Sequence, residues 1–336
     1  MSRNMILANQ NFFANTIGAL NNVQAEYIEK CHRYIATDET EKSWLKHAQI
    51  ERTYRFSKTT CALLVKYIDY YICTVNVNII EQEVVGLTLE PVNSGLATLL
   101  GADGYLTKEF SIDTQAEIYE RVLYDTSQVE KYAGHNWVDI KVLFPPISCF
   151  HVEGKNSISR NEFYELLCRL AFENKMCNNP MGEISEDIWE KIFYESDKEI
   201  NFRNLLMAYT ALSWDLTYLY LYQCLEDRFA EESVKELKEK LGITLSEKEL
   251  SDILYDKLEW QPRDLESIDK IIKKFPRSSK TLKFLEESAM KESIPKFIYS
   301  VRNGIVHETR EPLIPLENNE RWEKLIAGML LLIKES

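Results

Sequence analysis

The sequence predicts a mainly α-helical protein, with an N-terminal α+β domain over residues 1–154 and a helical domain over 155–336, in which residues from about 200 to 336 form an antiparallel helical bundle. Three observations predict it. Gly, at 11, and Pro, at 9, fall below their usual shares of roughly 7% and 5%, which disfavours folds made of many tight turns. Apolar residues recur at spacings of three and four along most of the chain, the period of a helix with one buried face. Between Thr74 and Phe110 the pattern changes, and Val75, Val77 and Ile79 alternate with polar residues as in short strands.

Taken in order, Phe12, Phe13, Ile17, Leu20, Val23, Tyr27 and Tyr34 lie on one face of a helix expected from Asn9 to Ile35. Asp38 followed by Glu41 forms a capping box that starts a second long helix running through Tyr71. Asp103-Gly104 offers the positive φ of a tight turn. Residues 113–132 return to helical spacing, Trp137 to Phe144 alternates, and the first domain closes near Gly154. Ser159 with Glu162 caps a helix through Met176, which Asn178 to Gly182 breaks. Asn201 to Lys240 carries a dense apolar face of Leu205, Leu206, Tyr209, Leu212, Leu216, Leu219, Tyr220 and Cys224. Ser246 with Glu249 opens the next helix, Gln261-Pro262 stops it, and further helices cover 264–274, 279–292, 294–306 and 319–334. Short connections make an antiparallel bundle the simplest packing.

Apolar residues at 45% and aromatic residues at 11% exclude disordered and low-complexity classes. The balance of 40 basic and 53 acidic residues leaves a charge of −13, so a nucleic-acid partner has to be held by a local basic patch. Seven cysteines, at 31, 61, 73, 149, 168, 177 and 224, contain no C-x-x-C pair and read as reduced thiols of a cytoplasmic protein. No apolar run is long enough for a signal peptide or a membrane span, so no membrane partner is expected.

Of the five histidines, 32, 47, 135, 151 and 307, none stands in a recognised metal-ligand spacing; Cys31-His32 is the one adjacent pair and reads as a half-buried helix position. Phosphate-loop, dinucleotide and nucleophile-elbow motifs are absent from the sequence, so no cofactor is expected. Gly101 to Gly104 reads as a turn, and the acid pairs Glu81/Glu83 and Glu286/Glu287 as solvated faces.

The segment from Tyr299 to Glu308 stands apart. It holds Arg302, Asn303 directly after it, and Ile305-Val306 directly before His307, near the end of a multi-helix domain. This Arg-Asn-x-x-x-His pattern resembles the HEPN family of helical-bundle proteins, over about the last 135 residues; residues 1–154 carry no such resemblance. The resemblance implies a homodimeric, metal-independent ribonuclease, with two Arg/His pairs meeting across a twofold cleft, in a defence or toxin system, and with a regulatory protein partner. A tyrosine two residues after the histidine, present in one subset of the family as a target of nucleotide modification, is replaced by Thr309. The polar residue that many members place on an earlier helix is matched best by Asp215, which interrupts an apolar face and needs a partner if buried; an exposed Asp is the alternative.

The residues themselves suit that chemistry. A guanidinium holds a phosphate in a fork, and an imidazole moves a proton near neutrality. On an ideal helix Arg302 and His307 are about 140° apart whereas Asn303 and His307 share a face, so either Arg302 reaches round or the helix loosens at Gly304 and ends before His307. Lys270, Lys273, Lys274, Arg277, Lys280 and Lys283 form a basic stripe without an intervening acid, able to track an RNA backbone or simply to dress a solvated helix. The sequence therefore points to an endoribonuclease acting through Arg302, Asn303, His307 and Asp215, with the N-terminal domain as sensor or substrate selector. The alternatives are a non-catalytic HEPN-like dimerisation module that binds a protein or nucleotide, and a helical scaffold in which the motif is coincidental.

Overall fold

The computed structural model describes residues 4–20, 33–57, 60–68, 70–75, 84–107, 109–195, 200–307 and 313–335. The chain is mainly helical and divides into two compact units, Met1–Ile158 and Ser159–Ser336. Among the described residues no helix is long and apolar enough to cross a membrane.

In the first unit, α1 (Met5–Gly18) starts at Asn4, whose side chain accepts from the Ile6 and Leu7 amides, and it buries Phe12 and Phe13. It ends at Gly18 rather than near Ile35. Ile35 is instead extended, bridging to His135 and donating its amide to Asn9 Oδ1. The predicted positions Val23, Tyr27, Cys31 and His32 lie outside the described residues.

The Asp38–Glu41 capping box is present and starts α2 (Glu39–His47). The helix then stops, and the chain from 49 to 75 forms strands where a helix through Tyr71 was expected: β1 (Gln49–Arg55), β2 (Cys61–Tyr67) and β3 (Tyr70–Val75). With β4 (Leu87–Glu90) and β5 (Ser148–Val152) they make an antiparallel sheet ordered β1-β2-β3-β5-β4. The physical reason is visible in β2, where Cys-Ala-Leu-Leu-Val is buried at every position. A continuous apolar run of that length has no period by which a central strand differs from a buried helix. Val77, Ile79, Glu81 and Glu83 lie outside the described residues.

Helix α3 (Ser94–Ala102) packs against α1 and α2. Glu41 ties two helices together, since its carboxylate accepts from the Asp38 amide (2.9 Å) and the Ser94 amide (3.0 Å). Asp103-Gly104 does turn, with Gly104 at φ +87°, but as the end of α3 rather than between strands. Helix α4 (Ile112–Arg121) follows. The alternating stretch after it is helical: Asn136 and Asp139 form a capping box for the short α5 (Trp137–Ile140), which continues as a 3-10 turn over Lys141–Leu143. Local capping overrides the period-two pattern there.

The second unit runs α6 (Arg160–Glu173), α7 (Glu183–Glu195), α8 (Phe202–Tyr209), α9 (Trp214–Glu226), α10 (Glu231–Leu241), α11 (Glu247–Leu258), α12 (Asp264–Lys273), α13 (Lys280–Ala289), α14 (Ile294–His307) and α15 (Asn319–Glu335). The boxes Ser159/Glu162 and Ser246/Glu249 start α6 and α11 as expected. The face expected along 201–240 is broken by the turn after Tyr209, which resets its phase. Leu212 is 79% exposed and Leu216 is exposed, while α9 buries Trp214, Thr217, Tyr218, Leu221, Tyr222 and Leu225.

Packing is not uniformly antiparallel. Helices α13 and α15 do run oppositely, with Thr281 bonded to Glu335 and Glu287 paired with Lys324. Helix α9, however, runs in the same sense as α15, since Trp214 bonds Asn319 and the Tyr218 ring meets Trp322 one turn later. It also runs with α14, where the Tyr218 hydroxyl donates to the Ile298 carbonyl and Arg302 lies over Tyr222. Helices distant in sequence are thus neighbours, because intervening helices return the chain.

Candidate active site

Helix α14 buries Ile294, Phe297, Ile298 and Val301 and remains helical through Gly304 to His307. Gly304 has open space where a side chain would be, so it interrupts nothing. The expected loosening before His307 does not occur, and Arg302 and His307 stay about 140° apart on one helix. Asn303 and His307 share the more open side, and His307 is exposed. Thr309 and Glu308 lie outside the described residues.

Arg302 is half-buried and held in place. Its Nη1 donates to Asn303 Oδ1 (3.1 Å), and its guanidinium carbon sits 6.0 Å from the centre of the Tyr222 ring. Tyr222 in turn donates its hydroxyl to Asp264 Oδ2 (3.1 Å). Burial and the Asp264 charge push the Tyr222 phenol up, with the Arg302 cation opposing them. One turn further along α9, burial and then Asp264 raise the Glu226 carboxyl above its usual range, and Arg302 again opposes the shift.

Asp215, the carboxylate expected beside Arg302, is elsewhere. It lies in the first turn of α9 and accepts from the Ser213 hydroxyl, eleven residues and so about 16 Å of helix from Glu226. The acid that feels the Arg302 charge is Glu226, and Asp264 reaches the same surroundings through the Tyr222 hydroxyl; neither belongs to the motif. A usable signal existed: Tyr222 and Glu226 are spaced i, i+4 on a helix, and Asp264 directly follows the loop containing Pro262.

The basic run divides. Lys270 turns onto α10, donating to Ser233 (3.0 Å) with Glu236 3.9 Å away, and Lys273 pairs with Asp269 on its own helix. Lys274, Arg277, Lys280 and Lys283 are exposed, with the Lys280 ammonium 5.5 Å from the Phe284 ring centre. Asp264, bonded to Tyr222, opens α12, whereas Lys274 and the cations after it follow its last turn, about 13 Å further along the axis. Within one chain, Asp264 and the cations that follow Lys273 therefore stand at opposite ends of α12. Among the described residues no group of three or more His, Cys, Asp and Glu side chains could hold a metal ion.

The raised Glu226 carboxyl has a consequence for stability. The fold favours its neutral form, so the contribution is present below the ordinary carboxylate range and is lost as pH rises through the raised value. Glu226→Gln, neutral at every pH, is expected to raise the melting temperature at pH 8 and to leave it unchanged at pH 4. A lower melting temperature at pH 8 would mean that the attraction to Arg302 outweighs burial and Asp264.

Fold and site together define a two-unit, mainly helical chain carrying an Arg-Asn-x-x-x-His segment at the end of the helix before its last. No family model, no curated protein and no solved structure matches this chain.

Proposed function

We propose that the protein is a metal-independent endoribonuclease of HEPN type that cleaves RNA by attack of a 2′-hydroxyl, in a defence or toxin system, a setting that rests on the family resemblance alone. The observation that carries the reading is the end of α14. His307 is exposed on the same side as Asn303, and Asn303 Oδ1 with the Tyr222 ring orients the adjacent guanidinium of Arg302. In the proposed step His307 takes the proton of the 2′-hydroxyl, O2′ bonds to phosphorus, and the P–O5′ bond breaks. The departing 5′-oxygen takes a proton from a second, protonated imidazole. Arg302 stabilises the added negative charge on the phosphoryl oxygens.

Because Arg302 and His307 diverge around one helix, a homodimer with two α14 ends facing each other supplies the cations and imidazoles around one phosphate. Lys274, Arg277, Lys280 and Lys283 then hold flanking RNA away from the reacting phosphate. The test is incubation of the full chain with mixed RNA in chelator. Fragments ending in 2′,3′-cyclic phosphate and 5′-hydroxyl are expected, and intact RNA in the presence of the dimer would overturn the reading.

One observation favours a second reading, a non-catalytic HEPN-like dimerisation module for a protein or nucleotide. Arg302 lies over the Tyr222 ring, whose hydroxyl Asp264 accepts, and its charge opposes the raised Glu226 carboxyl, as a structural cation would. That reading expects no RNA turnover and a lower melting temperature on replacing either Arg302 or His307.

A further inference from the structure

We propose that His135 is an acid-sensitive latch of the N-terminal unit: while its ring is neutral it holds residues 33–36 against residues 132–136, and protonation of the ring releases them. The two stretches are joined through its backbone. The His135 amide donates to the Tyr34 carbonyl (2.9 Å), and the Ala36 amide donates to the His135 carbonyl (2.6 Å). Ile35, between them, belongs to the same apolar core as Phe13 of α1. The residue that joins them carries the one side chain whose ordinary titration falls near neutrality.

The surroundings of the ring suit only its neutral form. It is 1% exposed, and its centre lies 5.4 Å from the ring centre of Tyr132, 5.6 Å from that of Tyr124 and 5.9 Å from that of Phe13. One ring nitrogen has the Val122 backbone as its partner, whereas Nε2 is buried with no hydrogen-bond partner among the described residues. In the neutral ring Nε2 is an acceptor without a donor; once protonated it is a donor without an acceptor on a buried cation, which costs far more. Asp139, on α5, favours the imidazolium, but its carboxylate already accepts from the Asn136 amide (2.9 Å). Arg33, in the stretch that is held, opposes a second cation, and its Nη2 is fixed to the carbonyls of Leu123 (2.7 Å) and Tyr124 (3.0 Å). Tyr132 donates its hydroxyl to the Tyr34 carbonyl (3.2 Å), and burial pushes its phenol up to about 12, so it supplies no negative charge. Burial thus holds the imidazole below its ordinary value of 6.5, with Asp139 opposing and Arg33 assisting. The stability that the neutral ring contributes is whole above the ordinary value and is lost as pH falls through the depressed one.

The inference does not depend on the ribonuclease reading, because its test involves no RNA. The full chain and two variants that do not titrate are digested briefly with thermolysin at pH 7.5 and at pH 5.5. His135→Gln keeps an N–H for the Val122 carbonyl, and His135→Phe fills the space among the rings. Mass spectrometry follows cleavage between Tyr34 and Ile35, normalised to cuts in the second unit. In the parent chain that bond is expected to be cut about fivefold faster or more at pH 5.5 than at pH 7.5, whereas in either variant the ratio stays near one. Over the same interval the parent's melting temperature should fall by about 3 °C or more beyond the fall in the variants. His135→Gln alone suffices if His135→Phe does not fold. The same acid response in parent and variant, or a parent chain cut at that bond equally at both pH values, would overturn the proposal; the second result would mean that the rings accept the imidazolium as a cation over their faces.

Discussion

His307→Ala is expected to lower RNA cleavage by about 10³-fold with no change in melting temperature, a loss within the range for removing a general base. The side chain is exposed at the last residue of α14, so its truncation leaves no cavity and no orphaned partner. Arg302→Ala is expected to lower cleavage by a factor of about 10² to 10³, as for loss of a charge-stabilising donor, but with a lower melting temperature. Its guanidinium lies against Tyr222, with the acids Glu226 and Asp264 close by, and removing it leaves the acids to repel each other. Arg302→Lys keeps a charge without the planar fork, so it should restore stability more than cleavage. Gel analysis of end-labelled RNA and thermal melting of the same samples separate the two effects. Cleavage that survives in both alanine variants would remove the mechanism, whereas equal stability losses without cleavage in the parent chain would favour the interaction module.

The largest stability effect is expected at Gly95. A Cβ there would lie 2.1 Å from the backbone carbonyl oxygen of Glu41 and 3.0 Å from Trp44 Cβ. Backbone cannot rotate away as a flexible side chain can, so α2 and α3 would have to separate. That movement would also break the bond from the Ser94 amide to Glu41. Gly95→Ala should therefore destabilise the N-terminal unit by about 3 kcal/mol, the upper part of the range for overpacking. Gly304→Ala provides the contrast, because nothing lies within 4 Å of its added methyl group. It is expected to stabilise α14 by about 0.5–1 kcal/mol. Denaturant titration followed at Trp44 and at the helical signal checks both; a neutral Gly95→Ala would show that α2 and α3 are free to part.

Local signals located much of the helical framework. Asp38 with Glu41, Ser159 with Glu162, and Ser246 with Glu249 each mark a helix start that the structure realises, because a capping box is satisfied by atoms three residues apart and needs no tertiary partner. Strand β2 is not legible, since its burial on both faces erases the period that distinguishes strand from helix. The chain sense of α9 was equally hidden. Short loops suggest neighbours that reverse, as α8 and α9 do, yet α9 also packs on α14 and α15, some 80 to 105 residues away in sequence.

The candidate site shows the same division. Arg302, Asn303 and His307 stand out in the sequence, and their angular spread follows from helical geometry alone. Asp215 interrupts an apolar face only if that face continues through Thr210, and the turn there resets the phase between α8 and α9.

By itself, then, the order of residues determined that this chain is mainly helical, where several helices begin, and that a guanidinium and an imidazole lie five positions apart near its end. Tertiary structure alone decided that Arg302 lies over Tyr222, that Asp264 accepts from the Tyr222 hydroxyl, and that the Arg302 charge is felt by Glu226. The physical reason is reach: caps and helical period act within a few residues, whereas burial, charge pairing and cavities depend on segments that meet only after the chain has folded.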